Sequence, residues 1–250
     1  MYVLSYIYKK DNRNLKIVVL KFGGTSVADV PQIKKIALKI KEEVELGNKV
    51  IVVVSAMSGV TNNLIDLVKH TSDFPPYSEY DNVLSTGEQV TSALLAIALE
   101  RLNLRTRSWL GWQIPIVTDN TYGKSVIEKI ETDNISTSLE HNEVAVVSGF
   151  QGVSSENKIT TLGRGGSDTT AVAMAAAFSA DRCDIYTDVD GVYTTDPRIV
   201  KRAKKLDIIT YEEMLELASQ GAKVLQARSV ALAMKYGVNL RVLSSFENLP

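Results

Sequence analysis

Residues Ile17–Val54 read IVVLKFGGTSVADVPQIKKIALKIKEEVELGNKVIVVV, and the contrast between the ends of this stretch and its middle decides the fold. Ile17–Leu20 and Val50–Val54 are short, unbroken β-branched runs, the pattern of strands covered on both faces, as in parallel sheets. Between them, Pro31–Leu46 sets Ile33, Ile36, Ala37, Ile40 and Val44 on one helical stripe. Asp29 and Pro31 supply a start signal and Gly47 a stop. The stretch is a β-α-β unit, in which a helix carries the chain between parallel neighbours.

The same alternation continues downstream. An amphipathic segment around Ser85–Leu102, with Val90, Leu94, Ile97 and Ala98 on one face, leads to the apolar strand Val144–Ser148. Ala-rich Thr170–Ala180 predicts a helix, Asp184–Thr187 and Leu240–Leu243 predict strands, and Tyr211–Ser219 and Lys223–Tyr236 predict helices. The class is α/β with a mostly parallel sheet. Pro75-Pro76 and the polar stretch Asp119–Asn142 are expected to form loops or short irregular insertions. With no internal repeat and no Gly/Ser-rich linker, the expected organisation is an extension over residues 1–14 and one domain over 15–250.

Composition removes several classes. In 250 residues, 28 Lys+Arg nearly balance 29 Asp+Glu, leaving a formal charge of −1, so no strong field points to nucleic acid or an anionic membrane. The longest purely apolar run, Ala171–Phe178, has eight residues, whereas a spanning helix needs about 20. Cys183 is the single cysteine; it allows no internal disulfide and suits a reducing, cytoplasmic setting. With His70 and His141 far apart, neither a His/Cys zinc cage nor a hydrolase triad has candidates.

Chemistry concentrates in a few runs. Lys21-Phe22-Gly23-Gly24-Thr25-Ser26 follows the first strand; two glycines allow close backbone approach and Lys21 adds a cation, a phosphate-binding pattern that also suits a tight turn with a solvated lysine. Neither Walker nor G-x-G-x-x-G spacing occurs. After the second strand, Ser55-Ala56-Met57-Ser58-Gly59-Val60-Thr61 offers hydroxyls either to a small polar substrate or as caps for the next helix. Ser85-Thr86-Gly87-Glu88 has the spacing of a capping box, and Glu88 is alternatively a partner for a substrate ammonium. Thr161–Thr170 (TLGRGGSDTT) sends three glycines into a helix N-terminus, an anion site where Arg164 can hold a carboxylate through two parallel hydrogen bonds. Asp168 there can cap the helix or orient a lysine. Thr187–Arg198 (TDVDGVYTTDPR) groups carboxylates, hydroxyls, an aromatic ring and an arginine suited to ribose, adenine and phosphate; Pro197 stands where a calcium loop needs glutamate. Gly221-Ala222-Lys223 opens the helix before Arg228.

Taken together, KFGGTS, SAMSGVT, STGE, TLGRGGSDTT, TDVDGVYTTDPR and GAK, in this order from residue 17 to about 247, resemble the catalytic domain of the aspartokinases, in the amino-acid kinase family. The resemblance implies a carbamate kinase-like three-layer α/β/α sandwich with a mainly parallel eight-stranded sheet, an amino-terminal lobe for aspartate and a carboxyl-terminal lobe for ATP. It implies transfer of the ATP γ-phosphoryl group to the side-chain carboxylate of L-aspartate, the first step toward lysine, threonine, methionine and diaminopimelate. Lys21, Phe22, Gly23 and Gly24 are then expected at the phosphates, with Lys21 the main catalytic charge and Asp168 organising the site. Ser55, Thr61, Glu88 and Arg164 are expected at aspartate, Arg164 on its α-carboxylate and Glu88 on its ammonium. Thr187, Asp188, Tyr193, Thr194, Thr195, Asp196, Pro197, Arg198 and Lys223 are expected at ATP, whose phosphates carry Mg2+. The resemblance further implies a homo-oligomer. By that resemblance a linker to regulatory ACT domains would begin near Asn248-Leu249-Pro250; the chain is then expected to be either a naturally short enzyme or a truncated one, with a separate regulatory ACT chain or domain as a possible partner, and by itself it is expected not to respond to lysine or threonine. The rivals are a family member acting on glutamate, N-acetylglutamate, carbamate or UMP, and a non-catalytic subunit of the same fold. Glu88 with Arg164 favours an unmodified amino acid.

Overall fold

The computed structural model describes residues 16–222 and 224–246, so the expected extension over residues 1–14 and the proposed ATP ligand Lys223 lie outside the described residues. In chain order the first half runs β1 (Ile17–Phe22), α1 (Val30–Glu45), β2 (Lys49–Val54), α2 (Val60–Thr71), α3 (Tyr77–Glu100), β3 (Thr106–Trp109), β4 (Ile116–Thr118), β5 (Ile127–Ile130) and α4 (Asp133–Glu140). The second half runs β6 (Val144–Ser148), β7 (Gln151–Ser154), β8 (Ile159–Thr161), α5 (Gly166–Ala177), β9 (Arg182–Thr187), α6 (Tyr211–Ser219), α7 (Ala227–Tyr236) and β10 (Leu240–Ser244).

The opening β-α-β unit forms as its pattern requires. Asp29 caps α1 by accepting from the Gln32 N–H at 2.8 Å, Pro31 occupies its first turn, and Gly47 follows its end with a left-handed φ of 85°. β1 and β2 pair in parallel, with Lys21 opposite Val53. The main sheet has six strands in the order β10-β9-β1-β2-β6-β3, every pair parallel. Because side chains alternate across a strand, successive residues enter different cores. Val18, Leu20, Val50, Val52 and Val146 pack with α1 and α3 on one side, whereas Val19, Ile51, Val53 and Val147 pack with α4, α5, α6 and α7 on the other. This is the three-layer α/β/α sandwich. α5 is buried from Gly166 to Ala175, and its run of alanines is what lets a helix lie so close to the sheet.

Several expectations need correction. The main sheet has six strands rather than eight; a second sheet, β5-β4-β7-β8, is mixed, with β4 parallel to β7 and the other pairs antiparallel. The stretch 119–142 is not simply loop, since it contains β5 and α4, both too short for their periodicity to stand out. α3 begins at Tyr77 behind Pro76, about two turns earlier than its apolar pattern suggested. It turns Leu84, Ser85, Gly87, Glu88, Leu95 and Leu99 inward, leaving Val90 and Ile97 54% and 57% exposed. The inward face is chosen by what reaches the end of β2, not by hydrophobicity alone.

Candidate active site

The carboxyl ends of β1, β2, β6 and β9 open on one cleft of about 540 Å³, the place where open parallel sheets collect ligands. Strand alternation sets its first charge. Lys21 lies on the same face of β1 as Val19, the face covered by α5, and its Nζ meets the Asp168 carboxylate, in the first turn of that helix, at 2.7 Å. Both side chains are buried. Of the two roles open to Asp168, it takes the lysine: α5 has Gly165 as N-cap and no side-chain capping bond. Phe22, one residue on, must face the other way. It is fully buried and its ring stacks on Tyr186 at 4.7 Å between centroids, so its side chain packs in the core and does not line the cleft. Gly23 and Gly24 do line the cleft. A Cβ at Gly24 would stand 3.1 Å from the Ala56 carbonyl oxygen, a tight contact that the two strand-end loops would have to widen slightly to accept.

The loop after β8 supplies the second half. Gly163 and Gly165 have φ of 72° and 70°, in the left-handed region that favours glycine. A Cβ on Gly165 would lie 2.0 Å from Cγ of Gln226. The turn brings Gly163, Arg164, Gly165, Gly166 and Ser167 to the cleft wall, with the unfilled N–H groups and positive dipole end of α5 behind them. Arg164 is the cation that a carboxylate would meet there.

Glu88 arrives from α3. Helix and β2 end approach so closely that a Cβ at Gly87 would stand 2.8 Å from the Ala56 Cβ, which explains the glycine of STGE. The Glu88 Oε1 accepts the Ala56 N–H at 2.9 Å, and Oε2 is buried with no hydrogen-bond partner among the described residues. Burial pushes its pKa up from 4.5 to about 7, against the lowering effect of the Ala56 bond. The capping-box reading of Ser85–Glu88 fails because both residues sit mid-helix: the Ser85 hydroxyl donates to the Asn82 carbonyl of its own helix. The hydroxyls after β2 are not caps either. α2 starts behind Gly59 with no side-chain capping bond, while Ser55, Ser58 and Thr61 line the cleft.

The amino acid kinase family profile matches residues 16–244. The chain belongs to the amino acid kinase family. It is similar to the aspartokinase of Rickettsia felis, 53% identical over 235 residues, which are 93% of this chain and 59% of that protein. Against the aspartate kinase of Pseudomonas putida it is 54% identical over 236 residues, 94% of this chain and 57% of that protein. Among solved structures it resembles aspartate kinase from Synechocystis, with a TM-score of 0.83 and 48% identity, covering 93% of this chain and 39% of that one. It also resembles E. coli aspartokinase III in complex with aspartate and ADP, with a TM-score of 0.83 and 28% identity, covering 92% of this chain and 62% of that one. The chain thus spans less than two thirds of the length of these relatives.

In this amino acid kinase domain the cleft gathers Lys21, Gly23, Gly24, Ser55, Thr61, Glu88, Arg164, Asp168, Thr187 and Asp188 from five separate segments. Tyr193, Thr194, Thr195, Asp196, Pro197 and Arg198 do not line it. They lie on a loop where Thr194, Thr195, Pro197 and Arg198 are exposed. Sequence reasoning passed over Phe150 and Ser167 at the cleft. Phe150 has a φ of 70°, unusual for a bulky residue, and its ring lies where a Cβ on Gly166 would be, 2.7 Å away. No local pattern marks such a residue. Among the described residues no group of three or more His, Cys, Asp or Glu forms a metal cluster, and no helix is long and apolar enough to cross a membrane.

Proposed function

We propose that this amino acid kinase domain is the kinase domain of an aspartate kinase, which transfers the γ-phosphoryl group of ATP to the side-chain carboxylate of L-aspartate and yields 4-phospho-L-aspartate and ADP. One observation carries the reading. The cleft that holds the Lys21–Asp168 pair beside two glycine loops also holds Arg164 and the half-satisfied carboxylate of Glu88, a cation and an anion for the two charged groups of a free α-amino acid. The names of the relatives, and the aspartate and ADP bound in the E. coli enzyme, support the choice of substrate.

The chemistry follows from charge. The acceptor carboxylate is ionised at neutral pH, so it needs no general base. One of its oxygens forms a bond to the γ-phosphorus while the bond to the β–γ bridging oxygen breaks and its electron pair leaves on ADP. The obstacle is bringing an anion to a polyanion, and preorganised cations and amide dipoles are what offset it. Lys21 supplies charge at the transferring phosphoryl group, and Asp168 holds that ammonium in place at 2.7 Å. Gly23 and Gly24 admit phosphate to the backbone. Arg164 takes the α-carboxylate in two parallel hydrogen bonds, and the free oxygen of Glu88 accepts from the ammonium, with Ser55 and Thr61 beside them. Thr187, Asp188, residues Tyr193 to Arg198 and Lys223 serve the nucleotide. The nucleotide would bring magnesium, which would supply charge neutralisation at its phosphates; Asp168 and Asp188, which line the cleft, are the carboxylates that would face it.

ADP release measured with L-aspartate, with L-glutamate and with no acceptor tests the reading. Turnover with aspartate alone is the expected result. Turnover with glutamate instead would make the chain a different amino acid kinase, and acceptor-independent or absent ADP release would remove the kinase assignment.

A further inference from the structure

Two charged side chains outside the cleft grip the glycine loop from opposite directions. Asp81 is fully buried in α3, and the mechanism above makes no use of it. Its Oδ2 accepts the Thr161 N–H at 2.7 Å and the Gly123 N–H at 2.9 Å, while its Oδ1 accepts the Thr161 hydroxyl at 2.8 Å. Thr161 is the last residue of β8, directly before the loop. The second anchor point lies under the loop itself, since a Cβ on Gly163 would come within 2.9 Å of the Gly123 carbonyl oxygen. One carboxylate therefore fixes both the take-off point of the loop and the surface on which Gly163 rests. From α7, Arg228 donates through Nη2 to the Leu162 carbonyl and, at 3.1 Å, to the Arg164 carbonyl. Carbonyl and N–H point in opposite directions across a peptide unit, so drawing these two carbonyls to Arg228 turns the Gly163 and Gly165 N–H groups the other way. Gly163, Arg164 and Gly165 all line the cleft, and neither Asp81 nor Arg228 does.

α3 also carries Glu88, about two helical turns beyond Asp81. The same rigid helix thus holds the proposed ammonium partner directly and, through Asp81, the loop of the proposed carboxylate partner. We propose that Asp81 and Arg228 are positioning residues that set Arg164 and its neighbouring amides relative to Glu88, and so determine how tightly the α-ammonium and α-carboxylate of the amino-acid substrate are read together. This rests on the assignment of Arg164 and Glu88 to that substrate.

The test is steady-state kinetics of the 250-residue chain with both substrates varied. Arg228→Met removes an exposed side chain and leaves the core untouched; it is expected to raise KM for L-aspartate by about tenfold while kcat and KM for ATP stay within about threefold. Asp81→Ala is expected to do the same or more. Asp81→Asn keeps one oxygen for the two N–H groups and offers its amide to the Thr161 hydroxyl, so it should restore KM to within about threefold of the parent. A merely structural role would lower the melting temperature without this split between KM and kcat and without rescue by asparagine. If Asp81→Ala fails to fold, Arg228→Met decides. Unchanged KM for aspartate in Arg228→Met, or equal changes in both KM values, overturns the inference while leaving the kinase assignment intact. A parent chain that does not turn over aspartate overturns the assignment and the inference with it.

Discussion

The glycine loop over residues 161–168 and the loop over residues 187–205 read alike in the sequence, as two ligand loops following strands, yet the structure builds them on opposite terms. The first is walled in: Thr161, Leu162, Gly166, Ser167 and Asp168 are buried, and the loop is fastened to α3 through Asp81 and to α7 through Arg228. Beyond Asp188 the second loop satisfies its polar groups with one another. The Tyr193 hydroxyl donates to both oxygens of Asp190 at 3.1 Å, Lys205 donates to Asp190 at 3.2 Å, and Arg198 forks onto Asp196 at 2.8 and 3.0 Å. The Arg198 guanidinium accordingly holds the Asp196 carboxyl below the usual carboxylate range. The difference teaches that motif density does not measure preorganisation. Burial and long-range anchors make a loop rigid enough to aim charge, whereas exposed local pairs contribute little to stability.

This contrast breaks most sharply at the buried end. Lys21→Ala should lower kcat by about 100-fold or more, together with a modest fall in melting temperature because the buried Asp168 carboxylate loses its partner; near-normal turnover would remove the lysine from the reaction. Next comes Glu88→Gln. It should raise KM for L-aspartate by about tenfold or more through loss of a charge-assisted bond, and it should also make the protein more stable at pH 8. The sign follows from the raised pKa. Between the unfolded value of 4.5 and the folded value of about 7, the folded state binds a proton that the unfolded state lacks, so stability falls as pH rises through that window and the full loss persists above it. Replacing Glu88 by a neutral isostere removes a cost of up to about 3 kcal/mol at pH 8, and calorimetry at pH 8 and pH 5 should show most of the gain only at the higher value. A smaller effect is kinetic: because substrate ammonium needs the ionised form, KM for aspartate should rise about tenfold per unit as pH drops below about 7, and Glu88→Gln should flatten that limb. The smallest effect belongs to the exposed loop. Arg198→Ala should leave the melting temperature unchanged and raise KM for ATP by no more than about fivefold; a large loss of stability would show that this loop is as firmly built as the other.

Legibility in the sequence followed the range of the interactions involved. The β-α-β opening, the cap at Asp29 and the helix Tyr211–Ser219 were readable because periodicity and capping act within a few residues; Thr210 and Glu213 complete a capping box for that helix. The box at Ser85–Glu88 had the same spacing and misled, because a hydroxyl and a carboxylate at that spacing fit a helix interior whenever a third element lies close enough to take the carboxylate. Here Ala56, 32 residues away in sequence, accepts that role by donating its N–H. The side chain of Phe22 packs in the core although its motif neighbours line the cleft, because a motif is written as consecutive letters while a strand sends consecutive side chains to opposite faces.

By itself, then, the sequence determined the α/β class, the parallel pairing of its first strands and the glycine-rich, charged runs that line the cleft, since hydrophobic period and glycine content are local properties. Only the tertiary structure decided that Asp168 serves Lys21 rather than a helix end, that the main sheet stops at six strands, and that Glu88 keeps one buried oxygen free. Each of those outcomes depends on which distant groups are brought within hydrogen-bonding reach once the two cores have packed.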